Sequence, residues 1–314
     1  MALSIASRPK EQASFFWQKK AFRRGLTGWL CVLPIILYEF LWVILPISFA
    51  FVMVFTDWRG FEDLSKMTFV GLDNIRQLLS DQTYISAFMN TINYALVAVS
   101  GQVTIGLMLA LALNQITRWM GFVRVIYYMP VILPGTAMAL LWRLMYEPVF
   151  GFFNQTLMAV GLKPVPWLVD PNMALYSVCI YVIWKGVGWY MIMFLAGLKS
   201  IPTEYYEAAQ IDGAGAWQRF TSITIPLLKP TLLFVTVMAG IGSLQVFDSV
   251  FMMTGGGPVG STTTVVLHMY NTAFNFFQTS YATAMAVGLF IIILLITRLQ
   301  IRLYGEGGMR SYYS

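Results

Sequence analysis

Apolar residues fill this chain in long runs, and polar residues gather in a few short intervals between them. Six runs are long enough to cross a bilayer, which takes about 20 helical residues. They lie at Leu26–Phe55, Ile85–Leu113, Phe122–Met145, Ala174–Leu198, Ile225–Met253 and Tyr281–Leu303. In lipid, spans of this length must be helical, because a helix satisfies its backbone polar groups within its own segment. A transmembrane barrel would alternate apolar and polar residues over about ten positions, and no such alternation occurs. The pattern predicts an all-α membrane protein with an N-terminal arm at 1–25, a six-helix transmembrane domain at 26–303 and a tail at 304–314. A polar interval at 199–230 interrupts the transmembrane domain.

Composition agrees: 58% of the residues are hydrophobic and 11% charged, far from a soluble globular balance. Charge sets the orientation, since Lys and Arg accumulate on the cytoplasmic side of membrane proteins. Arg8, Lys10, Lys19, Lys20, Arg23, Arg24, Arg118, Arg124, Lys199, Arg219, Lys229, Arg298, Arg302 and Arg310 fall on one side. Only Arg59, Lys66, Arg76 and Lys163 fall on the other, and Arg143 and Lys185 stay inside spans. Both termini and the polar interval are therefore expected in the cytoplasm, and the net charge of +6 needs no nucleic-acid partner. The arm does not read as a secretory signal, because a long mixed stretch precedes the first span and no small-residue cleavage pattern follows it. Cys31 and Cys179 fall in separate spans and read as small buried hydrophobes, not a disulfide.

The polar interval has its own design. Pro202 and Thr203 open a helix, with Glu204 and Glu207 complementing its positive end. Asp212-Gly213 breaks it. Trp217, Phe220 and Ile223 then recur at helical spacing until Pro226 and Pro230 close the segment. A helix–turn–helix with one apolar face is expected, of a kind that a soluble partner can grip. On the opposite side, Gly71–Asn74 reads as a turn and helix start, and Pro148–Pro171 as a short helix with a Pro-rich return. Thr254-Gly-Gly-Gly-Pro258 reads as a tight turn ending the fifth span. It lacks the Lys-Ser/Thr that a phosphate loop needs.

No catalytic constellation or metal cluster is visible. His268 is the one histidine and reads as a satisfied loop residue. The 19 Met residues read as adaptable packing, and Trp29, Trp58, Trp142 and Trp167 as interface anchors. Ionisable residues inside spans are Glu39, Arg143, Lys185 and Asp248, each costly in lipid. Glu39 and Arg143 read as structural.

Glu207-Ala-Ala-x-x-Asp-Gly-Ala214, followed by Phe220-x-x-Ile223-x-x-Pro226-Leu-Leu-x-Pro230, resembles the EAA loop of ABC-importer membrane subunits. From Trp29 to Leu303 the chain resembles the sugar-type permeases of the maltose-transporter kind. Tyr128–Pro134, Leu141-Trp-Arg143 with Gly151-x-x-Asn154, Phe247-Asp248 and Tyr281-Ala-x-Ala284 carry the likeness further. Ile225 departs from it, where the pattern usually has Leu. The resemblance implies a type I importer fold in a bacterial inner membrane, with a second homologous permease, two ATPase subunits and an external solute-binding protein as partners. ATP and Mg would sit on the ATPases, since this chain has no Walker sequence and no cofactor of its own. Glu207, Ala208, Ala209, Asp212, Gly213 and Ala214 would form the coupling helix.

The resemblance also places the sugar contact at Trp184-Lys-Gly-Val-Gly-Trp189. Aromatic faces suit pyranose rings, and Gly186 and Gly188 would open room or loosen the helix. Trp184, Lys185, Gly186, Trp189, Ser243, Gln245 and Asp248 are the expected substrate contacts. Lys185 suits an acidic oligosaccharide or a sugar phosphate; its alternative role is an ion pair with Asp248, and a neutral sugar stays open. A membrane enzyme would need paired carboxylates or clustered His, and a channel would need no ATPase dock. The EAA element favours the importer over both.

Overall fold

The computed structural model describes residues 27–115 and 120–308, with side chains up to Tyr304. The expected arm at 1–25, Arg118 and Arg310 lie outside the described residues. Contacts divide the chain into two units, Met1–Met53 and Val54–Ser314. The first holds helix α1 (Thr27–Met53), long and apolar enough to cross a membrane, with Glu39 inside it.

The second unit begins with a small antiparallel ribbon, β1 (Thr56–Asp57) and β2 (Thr68–Phe69), in which Thr56 pairs with Phe69. It continues through α2 (Asp73–Ser80), α3 (Gln82–Asn114), α4 (Met120–Ile132), α5 (Gly135–Met145), α6 (Phe152–Ala159) and α7 (Ala174–Lys199). Then come α8 (Thr203–Ile211), α9 (Ala216–Leu244), α10 (Asp248–Met253), α11 (Val265–Tyr270) and α12 (Thr279–Gly308). Helices α1, α3, α7, α9 and α12 are long and apolar enough to cross a membrane, and α4 with α5 make a sixth, broken span.

Helix α7 forms the axis of this unit, packing on α3, α4, α9 and α10. It lies closest to α3 because small residues face it. Ala98 and Ala110 are fully buried, and a Cβ at Gly106 would stand 2.9 Å from the Cβ of Tyr190. Membrane helices pack this way because burying apolar surface against apolar lipid gains little, so close van der Waals approach must hold them. One core joins Tyr94, Val178 and Cys179 to Trp142 and Val250, and another joins Ala110, Met191 and Phe194 to Leu228 and Val235. Both cysteines are free thiols.

Two spans differ from the sequence pattern. The third was expected as one helix over Phe122–Met145; instead α4 and α5 meet at 94°. Proline explains the break: Pro134 offers no amide hydrogen and its ring clashes with the preceding turn. The fifth was expected over Ile225–Met253, with Pro226 and Pro230 closing the polar interval at its start. In fact α9 runs from Ala216 through both prolines and ends at Leu244. A widened turn at Phe220–Thr224 precedes Pro226, which falls in the first turn of the regular helix beyond it, where its missing amide costs least. Residues 245–247 are not helical, and α10 resumes at Asp248.

At the end of the bundle opposite α8, side chains tie the loops down. Asn154 is buried, and its amide group donates to the Pro148 and Val165 carbonyls at 3.0 Å each. Its Oδ1 accepts from the Val165 amide and the Trp167 indole at 2.9 Å each. The Gly-rich turn forms as expected, with Gly255 and Gly256 at positive φ. Asp81 caps α3 through the Thr83 amide at 2.8 Å and accepts from the Tyr281 hydroxyl at 2.7 Å. His268 Nε2 stands 3.6 Å from the same carboxylate.

The Asp81 carboxyl titrates within this cluster. Burial alone pushes the Asp81 carboxyl up, but the Tyr281 hydroxyl, the Thr83 and Tyr84 amides and neighbouring His268 outweigh it and hold the carboxyl below its usual range. A carboxyl lowered in the fold contributes stability above its unfolded pKa of about 3.9, and loses it as pH falls through the lower folded value. Asp81→Asn should cost about 1–2 kcal/mol at neutral pH and should remove the loss of thermal stability seen on acidifying below about pH 4. Parallel melting-temperature profiles for the two proteins from pH 7 to pH 3 would contradict this.

Candidate functional site

Two features stand out, and α7 connects them. The first is the polar interval. Helix α7 ends at Lys199, Ile201 is buried, and α8 starts after Pro202. Glu207 and Ala208 are exposed on α8, and Ala209 is half-buried. Asp212 is the last turn residue, and Gly213 takes φ +79°. The Ala214 amide then donates to the Ala209 carbonyl at 2.8 Å, the six-to-one closure of a Schellman C-cap. The six residues expected to couple therefore do form one helix and its cap.

At the base of this hairpin the Tyr206 and Thr224 hydroxyls lie 3.0 Å apart, with Thr224 buried. No residue of α8 is buried. Ile211 is 87% exposed and Trp217 76% exposed. Large apolar side chains exposed around this turn form a candidate interaction surface. The sequence pattern had Trp217 on an apolar face, but it missed Ile211 and Tyr205; a lone Ile beside Asp-Gly was the available signal.

The second feature surrounds the middle of α7. Lys185 Nζ donates to three backbone carbonyls, Pro130 at 3.1 Å, Val131 at 3.4 Å and Leu133 at 3.1 Å. Pro130 and Val131 lie in the last turn of α4, and Leu133 in the break between α4 and α5. One helical turn earlier, the Tyr181 hydroxyl donates to the Gly135 carbonyl at 2.9 Å, on the other side of that break. Among the described residues, an ion pair forms at Arg76–Asp73, His268 stands near Asp81, and the alternative Lys185–Asp248 pair does not form.

The other expected contacts divide. Trp184 is partly exposed, with its ring 5.0 Å from that of Trp142. Trp189 packs on Tyr190 and Phe234. The room beside Gly186 is taken by Gln102, whose Nε2 would stand 2.6 Å from an added Cβ. The room beside Gly188 is taken by the backbone of Tyr127 and Tyr128. These glycines admit neighbouring protein. Ser243 is buried, whereas Gln245 and Asp248 are exposed in and beside the non-helical step between α9 and α10. Because α10 packs on α5, the two broken spans meet there. Non-helical backbone at membrane depth is tolerated only inside protein or along a water-filled cavity.

Beside this step lies an aromatic surface that sequence reasoning did not assemble. Phe247 and Phe251 stack with centroids 5.1 Å apart and planes at 14°, and Tyr270 and Phe274 continue the row at 5.1 Å. A cavity of about 370 Å³ adjoins Phe247, Tyr270 and Phe274.

Residues 102–304 match the family described as binding-protein-dependent transport system inner membrane component. The chain is 35% identical over 279 residues to the trehalose/maltose transport system permease protein MalF of Thermococcus litoralis, a match covering 89% of this chain and 94% of that one. The chain belongs to this family. The permease is also 35% identical over 281 residues to the lactose transport system permease protein LacF of Rhizobium radiobacter, covering 88% and 93%. Its fold matches, with a TM-score of 0.81 and 24% identity, a chain of a bacterial ABC transporter involved in the import of the acidic polysaccharide alginate, over 92% of this chain and 98% of that one. The permease thus has the type I ABC importer fold, and both features described above lie within the family match.

Packing at Gly188 generates a prediction. A Cβ there would overlap the Tyr127 carbonyl, and backbone cannot rotate aside as a side chain does. Gly188→Ala should therefore cost about 1–3 kcal/mol, read as a lower melting temperature of the purified permease. An unchanged melting temperature would show that α4 moves away freely.

Proposed function

We propose that this permease passes a carbohydrate from an external solute-binding protein into the cytoplasm, driven by ATPase subunits that grip the hairpin at Glu207–Ala214. The carrying observation is the hairpin itself. It joins two spans, buries none of α8, and displays Ile211 and Trp217 around Glu207. A second homologous permease and two cytoplasmic ATPases, holding ATP and Mg, complete the assembly. Closing of the ATPases moves the hairpin, and α7 and α9 move with it. Such a switch works only through contacts that differ between its two states. The concentration of Lys and Arg on the hairpin side supports an inner-membrane subunit with cytoplasmic termini.

The substrate class rests on kinship with trehalose/maltose and lactose permeases. Support comes also from the aromatic row at Phe247, Phe251 and Tyr270, with Gln245 and Asp248 exposed nearby; sugars favour such a mixture of aromatic faces and hydrogen-bonding edges. Lys185 was read as suiting an acidic oligosaccharide or a sugar phosphate, with a neutral sugar left open. Its ammonium is engaged by three carbonyls, so an acidic substrate rests on no contact of Lys185.

Gly213 supplies the test. An added Cβ meets nothing within 4 Å there, so a side chain acts only through φ +79°, at roughly 1–2 kcal/mol. In vesicles carrying the assembled transporter and its binding protein, Gly213→Val should lower uptake of labelled maltose, trehalose or lactose by about tenfold or more, with membrane insertion unchanged. Full uptake by this variant would contradict the docking role. Failure of the unaltered transporter to move any of the three sugars, with ATP turnover intact, would contradict the substrate class alone.

A further inference from the structure

Two prolines four residues apart create an unusual debt of hydrogen bonds inside the membrane. In a continuing helix the Pro130 carbonyl would accept from the amide of residue 134, but that residue is Pro134, which has none. The 94° turn between α4 and α5 then carries the next amides onto a new axis, away from Val131 and Leu133. The hydrocarbon supplies no donor, so such carbonyls need one from protein or from a water-filled cavity. A Lys ammonium has three N–H donors and no acceptor, and Lys185 places them on Pro130, Val131 and Leu133. Its charge also meets the negative end of the α4 dipole.

The fit extends along one face of α7. Tyr181, Lys185 and Gly188 occupy positions i, i+4 and i+7, which a helix brings to one side. Tyr181 holds the Gly135 carbonyl on the α5 side, Lys185 holds the α4 side, and Gly188 lets the Tyr127 backbone come close. The stem of Lys185 passes over Gly135, where an added Cβ would meet its Cε at 3.6 Å.

We propose that Lys185 is a positioning residue: its ammonium replaces the amide hydrogens lost at the Pro130–Pro134 break and locks the broken span to the helix that runs into the hairpin. Displacement of α7 at its hairpin end reaches the bend through this contact. The proposal does not depend on the substrate class, and it concerns the transporter with no sugar bound.

Removing the donors and removing the need for them should cancel. Hydrogen–deuterium exchange is measured on the assembled transporter in nanodiscs without carbohydrate, over the segment Ile132–Met138. Lys185→Met should speed exchange there by about tenfold, as for one orphaned buried acceptor. Adding Pro134→Ala, which returns an amide to the Pro130 carbonyl, should recover most of that change. If Lys185→Met prevents assembly, assembly yield becomes the readout, and the double variant should restore it. Unchanged exchange in Lys185→Met, an equal rise with or without Pro134, or a double variant that still fails to assemble would each overturn the proposal.

Discussion

Every backbone polar group within the bilayer must find a partner inside the protein, because lipid supplies none. The rest of this structure depends on that requirement. Long helices meet it by themselves. At several departures from a helix, a side chain supplies the missing bond. Lys185 and Tyr181 serve the break between α4 and α5, and the Thr264 hydroxyl donates to the Val246 carbonyl at the step between α9 and α10. At the far end, Asn154 answers two carbonyls, an amide and an indole at once. Broken helices are stable here only because their partners are fixed.

The same requirement separates the moving parts from the fixed ones. The hairpin has an anchoring hydroxyl contact, between Tyr206 and Thr224, and no buried side chain in α8. Between it and the broken spans runs α7, a single helix of 26 residues packed closely against α3. A rigid rod with a loosely held handle at one end and a clasped bend near its middle suits the transmission of a push. Under the proposed function, that push comes from ATPase closure.

Much of this was legible in the sequence, and the limits have physical causes. The length of the apolar runs placed the spans approximately, since lipid permits one backbone solution. The Asp212-Gly213 turn was legible because few residues accept positive φ. The break at Pro134 was not, although both prolines were in view, because hydrophobicity is continuous across Phe122–Met145. Lys185 was noticed for the right reason, its cost in lipid, yet its partners were sought among charges. Carbonyl oxygens have no sequence signature and were overlooked. Gly186 and Gly188 suggested space; whether a helix or a ligand fills such space depends on distant residues, here Gln102 and Tyr127. The aromatic row drew on α10, α11 and the turn after α11, and only tertiary structure brings these together.

The central claim is that the hairpin is the point where an external motor takes hold. The most direct measurement is site-specific crosslinking from position 208. A photoreactive residue replacing Ala208, in cells expressing the whole transporter, should link this permease to its ATP-binding subunit, and the product should change in yield between nucleotide-free and ATP-bound states. A position 208 that links to no such subunit, or that is labelled by membrane-impermeant reagents from outside, would contradict the account.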